Sequence, residues 1–273
     1  MNNFFKRALT AGVFVAVLLG CTYYSQLSFT ILFFGITILG MGEFYSLSEK
    51  GENKPQKILG TFIGASLFAS NALVCMGYVD LTILIIHIPL LFLMFINELY
   101  LKAENPFRNI AYTLLGIVYV AIPFSLLNYL VVFTDSFSHH IVFGFFFILW
   151  SNDTGAYLAG SAFGKNKLLP RVSPGKSWEG SIGGAIVSYI VAYVISEWYT
   201  DLSVIDWFII ATILIVIGTL GDLVESLYKR SKNVKDSGNL LPGHGGILDR
   251  FDSLIMATPF VFTFLYLEKL FNL

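Results

Sequence analysis

Charge is what this sequence has least of. Asp, Glu, Lys and Arg make up 13% of its 273 residues, against 56% hydrophobic residues that include 26 Phe. A soluble domain carries about 25% charged residues, so the shortage excludes a water-soluble globular fold. Cysteine is nearly missing too: Cys21 and Cys75 both lie in apolar stretches, and no disulfide is expected between them. Four His and no Cys/His cluster at zinc spacing argue against a zinc centre; His87, His139 and His140 are read as structural. No internal repeat stands out, which counts against an inverted-repeat transporter. A full G-x-x-x-x-G-K-[ST] phosphate loop is absent as well. Gly175-Lys176-Ser177 would complete it, but Pro170 stands where the first glycine belongs, and no strand is expected before it.

Apolar length is what the sequence does have. A bilayer core about 30 Å thick takes roughly 20 residues per helix. Nine apolar segments can be drawn, at 8–24, 28–47, 58–78, 81–97, 109–132, 139–161, 179–197, 204–226 and 251–270. The fold class is therefore an all-α integral membrane protein with about nine transmembrane helices. A single polytopic domain over 1–273 is expected, with N-terminal helices within 1–135 and catalytic helices within 139–273. The start Met1–Arg7 followed by Ala8–Gly20 resembles a signal peptide, and Leu18-Leu19-Gly20-Cys21 a lipoprotein cleavage box. An uncleaved first span is expected instead, because further apolar segments follow at once.

Basic residues test the count independently. With the N-terminus placed in the cytoplasm, all but one of the 17 Lys and Arg fall on cytoplasmic segments, and only Lys269 lies outside. A bias this complete follows the positive-inside rule and puts the C-terminus on the external side. Two loops are long and chemically loaded, roughly 162–178 and 227–250, and both are predicted to be cytoplasmic.

Carboxylates at membrane depth are costly and so are functional candidates. Asp153 lies inside the sixth segment. Asp222 and Glu225 are three apart near the end of the eighth, on one helix face. Asp249 and Asp252 open the ninth with the same spacing. Glu43 sits near the end of the second and, like Glu225, is expected to tie helices together. Asp153, Asp222 and Asp249, beside loops rich in Lys and Arg, form a natural site for a hard cation such as Mg²⁺, which takes one or two carboxylates plus substrate phosphates.

The first loaded loop holds Ser173-Pro174-Gly175-Lys176-Ser177-Trp178-Glu179-Gly180 and leads into the seventh span. Gly175 permits close backbone approach, and Lys176 and Ser177 sit at a helix start, where free N–H groups favour phosphate. In the second loop Lys229, Arg230 and Lys235 supply charge for a polyphosphate. Pro242 and three glycines surround His244, and Asp249-Arg250-Phe251-Asp252 follow.

The stretch Ser226, Lys229-Arg230, Lys235-Asp236, His244-Gly245-Gly246 and Asp249-Arg250-Phe251-Asp252 resembles the signature of the phosphatidate cytidylyltransferases (CDP-diacylglycerol synthases). Asp153-Thr154-Gly155-Ala156-Tyr157 and residues 173–180 look like the same family's. The resemblance covers roughly the C-terminal half. It implies that CTP and phosphatidate give CDP-diacylglycerol and pyrophosphate with Mg²⁺, for phospholipid biosynthesis. The implied location is a bacterial inner membrane, with the site facing the cytoplasm. Carried onto these residues, it puts Asp153, Asp222, Asp249 and Asp252 on the metal. Asp222, Asp249, His244 and Lys176 take catalytic roles, and Lys176, Ser177, Lys229, Arg230, Lys235, Asp236, His244 and Arg250 contact substrate. The expected partners are CTP, phosphatidic acid and bilayer lipid, with no nucleic acid; a homodimer stays open. A CTP-using polyprenol kinase, which would move the γ-phosphoryl group to an alcohol, shares nucleotide, metal and membrane and is the nearest alternative. The Asp-Gly and Ala-Arg pattern of CDP-alcohol phosphotransferases is absent.

Overall fold

The computed structural model describes residues 3–49, 53–238, 240 and 245–271. Among them the nine expected segments are all helical: α1 Asn3–Tyr24, α2 Gln26–Ser48, α3 Lys57–Cys75, α4 Leu81–Leu101, α5 Pro106–Leu130, α6 His140–Phe163, α7 Trp178–Trp198, α8 Val204–Ser231 and α9 Leu248–Phe271. Eight of these, α2 to α9, are long and apolar enough to cross a bilayer. The apolar stretch of α1, Leu9–Tyr24, is shorter than the rest.

Local chemistry sets the helix ends. Ser25 caps α2 in a reciprocal box with Ser28, and Ser203 caps α8 in another with Asp206. Pro106 opens α5, where its missing N–H costs nothing. Lys102, at φ 49, closes α4 in the left-handed conformation. Three spans depart from regular α geometry. α4 opens with a 3-10 stretch at Leu81–Ile86. α5 carries a π turn at Ile117–Ala121 and α8 another at Leu214–Gly218. Such bulges often mark functional sites, and the second lies one turn before Asp222.

The aromatic wealth of the sequence goes into the core. Phe33 of α2 lies 6.1 Å from Phe124 of α5, 6.4 Å from Phe146 of α6 and 6.1 Å from Phe251 of α9, ring centroid to ring centroid. All four rings are buried, so one ring cluster joins the N-terminal helices to the C-terminal ones. Offset and edge contacts of this kind add about 0.5–1.5 kcal/mol per pair beyond area burial.

Polar contacts sort the two ends. At one end, Lys57 Nζ donates to Ser46 Oγ at 2.6 Å, the Lys54 amide donates to Asn109 at 2.8 Å, and Lys232 at the start of the second loop donates to the Ser48 carbonyl at 3.3 Å. At the other, Gln26 donates to the Cys75 carbonyl, His140 bonds Asp201, and Lys269 pairs with Asp135 at 2.8 Å. The single basic residue assigned to the far side, Lys269, is thus held by an acid of that same side. Lys50, counted with the near side, lies outside the described residues.

One regular element was not expected. In place of an irregular loop, β1 (Lys167–Leu169) and β2 (Ser173–Ser177) form an antiparallel hairpin with Lys167 opposite Ser177. A strand does therefore run into the Gly-Lys-Ser segment. It is still no phosphate-loop fold, since the hairpin stands alone between two membrane helices.

Candidate active site

The hairpin is built to present Lys176. Ser177 is buried and its Oγ accepts the Gly180 amide at 3.1 Å, capping α7. Substrate contact was expected of this residue; its Oγ serves as the cap, and the residue also lines the cavity beside Lys176. Glu179 accepts from the amides of Lys165 and Asn166 and from Asn166 Nδ2, which clamps the start of the hairpin onto the helix. Held this way, Lys176 reaches across to α8, and its Nζ lies 2.6 Å from Asp222 Oδ2. Ser226 Oγ donates to the other oxygen of Asp222 at 3.2 Å. A cavity of about 470 Å³ opens here, lined by Asn152, Asp153, Gly175, Lys176, Ser177 and Asp222 among others. That lies within the roughly 300–1,000 Å³ of small-molecule sites.

A second cavity, of about 360 Å³, reaches the same carboxylates from another direction. Its polar wall is Asp153, Asp222, Asp249, Arg250 and Asp252; its apolar wall comes from Ala11, Phe14 and Val15 of α1 and Trp150 of α6. Asp153 and Asp222 line both cavities. The four acids expected to bind metal thus face one cavity, although three different helices carry them.

Lys229 does not point into that space. It is buried, and its Nζ lies 2.6 Å from Glu225 Oε2 and 2.6 Å from Asp249 Oδ1. A phosphate contact was expected of Lys229; in the structure it is the counter-ion of two carboxylates, Glu225 and Asp249. Asp249 also accepts the Gly246 amide at 2.8 Å, the Ser237 amide at 2.9 Å and Ser237 Oγ at 3.0 Å. Both its oxygens therefore have protein donors.

The remaining predicted residues spread outward. Arg230 donates to the Val234 carbonyl, and Lys235 and Asp236 are exposed. Arg250 is exposed on the second cavity. His244 lies outside the described residues.

Sequence reasoning missed Tyr119. It stands in the π turn of α5, and its hydroxyl is buried with no hydrogen-bond partner. Nothing in Ile117-Val118-Tyr119-Val120 separates this tyrosine from an ordinary core residue. Only the bulge and the unpartnered hydroxyl do.

Among the described residues, no three His, Cys, Asp or Glu side chains converge as a ready-made metal cage. The donor set still fits Mg²⁺, which keeps several waters and takes one or two carboxylates plus substrate phosphates. Among the described residues, five buried side-chain oxygens have no partner: Asn152 Oδ1, whose residue lines the first cavity, Glu225 Oε1, Glu43 Oε1, Asn53 Oδ1 and the Tyr119 hydroxyl. Unpaired buried acceptors are costly, and a hydrated cation held beside Asp153 and Asp222 would supply what Asn152 lacks.

Comparison with known proteins bears on the whole chain. A sequence profile described as the Cytidylyltransferase family matches residues 5–268. A phosphatidate cytidylyltransferase of Haemophilus influenzae is 48% identical over 126 residues, covering 44% of this chain and 43% of that protein. One of Staphylococcus saprophyticus is 46% identical over 160 residues, 58% of this chain and 60% of that protein, and one of Staphylococcus aureus is 44% identical over the same length. The chain thus aligns with about half the length of these relatives.

Proposed function

The chain belongs to the cytidylyltransferase family, and on that premise we propose that it transfers the cytidylyl group of CTP to phosphatidate, giving CDP-diacylglycerol and pyrophosphate. One observation carries the reading. Asp153 and Asp222 are shared by a cavity bearing the Gly175-Lys176-Ser177 end of β2 and by a cavity with an apolar wall from α1. A reaction joining a water-soluble triphosphate to a lipid phosphate needs such a meeting point.

The chemistry asks little of a general base. A phosphomonoester has its second pKa near 6, so at neutral pH a lipid phosphate oxygen is already a competent nucleophile. It attacks the α-phosphorus of CTP, the bond to the bridging oxygen breaks, and pyrophosphate leaves with the electron pair. The obstacle is the mutual repulsion of two polyanions, so placed cations should dominate the rate. Lys176 enters the first cavity from the hairpin and Arg250 the second from α9, one for each substrate. Asp222, with Asp153 or Asp252, would hold Mg²⁺, which would neutralise phosphate charge. Lys229 acts indirectly by holding Asp249, which in turn fixes the start of α9.

The reading places the loop-bearing end in the cytoplasm of a bacterial inner membrane, where CTP is found. In a background lacking Cys21 and Cys75, Ser136→Cys should react with a membrane-impermeant thiol reagent in intact spheroplasts. Asn166→Cys should react only after permeabilisation. Labelling of position 166 in sealed cells would reverse the orientation.

Label position decides the reaction. With purified protein, phosphatidate and Mg²⁺, CTP labelled in the α-phosphate should send label into the organic phase. Label in the γ-phosphate should appear as water-soluble pyrophosphate. Finding γ-label in the lipid and α-label in soluble CDP would mean a kinase instead.

A further inference from the structure

Glu43 lies in α2, outside the loops and the C-terminal helices that carry the other candidate residues, yet its carboxylate sits where the second loaded loop turns into α9. Its Oε2 accepts the Leu248 amide at 3.1 Å and Ser237 Oγ at 3.2 Å. Leu248 is the first residue of α9, and a first-turn N–H has no partner within its own helix. A carboxylate there also meets the positive end of the helix dipole. Ser237 Oγ also lies 3.0 Å from Asp249 Oδ2, so the two acids share the single proton of one hydroxyl.

Two glycines of the loop close against the same group. A Cβ on Gly246 would stand 2.4 Å from Glu43 Oε2 and 2.3 Å from Ser237 Oγ; one on Gly238 would stand 2.6 Å from Glu43 Oε1. All three distances lie inside van der Waals contact. The glycines are needed because the chain passes directly over the carboxylate. The platform under Glu43 is firm: Phe44 stacks on Tyr228 of α8 at 5.2 Å and 15°, and Ser48 Oγ bonds the Tyr228 hydroxyl.

A residue that only tied helices together would have no reason to meet a loop backbone and the acid next in line. We propose that Glu43 is a positioning residue. By holding Leu248 and Ser237 it fixes Asp249, and with it the register of Asp252, in the second cavity. This rests on the cytidylyl-transfer reading, for which those acids matter.

Glu43→Gln keeps the size and one acceptor oxygen, so the protein should insert and melt close to wild type. Its kcat should fall about 10–100-fold, the usual effect of removing a group that orients a metal ligand, with KM for CTP within about threefold. Gly246→Ala should give a similar loss by displacing the same carboxylate, and the double variant should lose less than the product of the two, since coupled sites are not additive. Amide hydrogen exchange supplies a readout that does not depend on turnover: Leu248 and Gly246 should exchange faster in Glu43→Gln, while amides in the middle of α9 stay unchanged. A kcat within twofold of wild type, or losses that simply multiply, would overturn the proposal. If the wild-type protein makes no CDP-diacylglycerol, the functional reading fails and exchange alone decides. Unchanged rates at Leu248 and Gly246 would then sink the positioning role as well.

Discussion

Asp249→Asn is expected to leave a protein that inserts into the membrane with almost no turnover, a loss of at least about 10³-fold. The asparagine is isosteric, but it carries two N–H donors where the native side chain only accepts. Asp249 receives Lys229, the Gly246 amide and both donors of Ser237, so the new amide nitrogen must face a donor whichever way it turns. Lys229 would keep only Glu225. Breaking a buried ion network by removing one partner costs about 3–5 kcal/mol, and part of that would appear as a less ordered start of α9. Asp252, one helical turn on, would lose its placement along with Asp249. Product formation from labelled CTP, normalised to the folded fraction from size-exclusion and circular dichroism, measures the effect. Near-normal turnover would confine Asp249 to holding Lys229 and would remove α9's first turn from the catalytic machinery. Chelation should mimic the loss in wild type and Mg²⁺ should reverse it; activity that survives chelator would exclude the cation from the mechanism.

Much of the fold could be read from the sequence, for a physical reason. A bilayer demands about 20 apolar residues per crossing and internal satisfaction of every backbone group, so hydropathy alone finds helices such as α3 and α7 within a few residues. Charge asymmetry then sorts the ends, and Lys269 beside Asp135 follows that sorting. The π turns at 117–121 and 214–218 left no such trace, because they depend on how α5 and α8 pack and not on local propensity. The hairpin escaped for a related reason: β1 and β2 have three and five residues, too short for an alternating pattern to register.

The site was legible as a set of residue types and only partly as an arrangement. Asp153, Asp222, Asp249 and Asp252 do face one cavity, as acids at matching membrane depth should. Lys229 and Lys176 look alike in sequence, each a lysine near a helix end. Burial separates them: Lys229 is sealed between Glu225 and Asp249, whereas Lys176 stays partly open to a cavity. Which lysine meets substrate and which neutralises acids is therefore a question of packing. Glu43 and Tyr119 show the opposite failure. Both come from the N-terminal half, where the sequence offers only hydrophobic spans for comparison; Glu43 meets Ser237 and the start of α9 only in the folded chain, and Tyr119 is set apart only by its place in the bulge and its buried, unpartnered hydroxyl.

That difference between the two lysines gives the second large effect. Lys176→Met should fold and insert like wild type, because Lys176 is partly solvated and its one ion-pair partner, Asp222, lines an open cavity. Its kcat/KM for CTP should fall about 10²–10³-fold, the range seen when one preorganised donor to developing charge is removed. Lys229→Met should behave differently. It strands Glu225 and Asp249 without a counter-ion in a buried setting, so expression and melting temperature should drop along with activity. Lys176→Arg separates charge from shape. Arginine keeps the positive charge but replaces a compact ammonium with a wide planar fork, and Lys176 Nζ already lies 2.6 Å from Asp222, so from the same position on β2 the longer side chain overshoots it. Partial recovery, above Met and below wild type, is the expected result, with most of the deficit in KM. Steady-state kinetics of the three variants at saturating phosphatidate, beside thermal melts in the same detergent, would test the set. A Lys176→Met enzyme with unchanged kcat/KM would take the hairpin out of nucleotide binding. The triphosphate would then have to be held by the exposed Arg230 and Lys235 of the second loop.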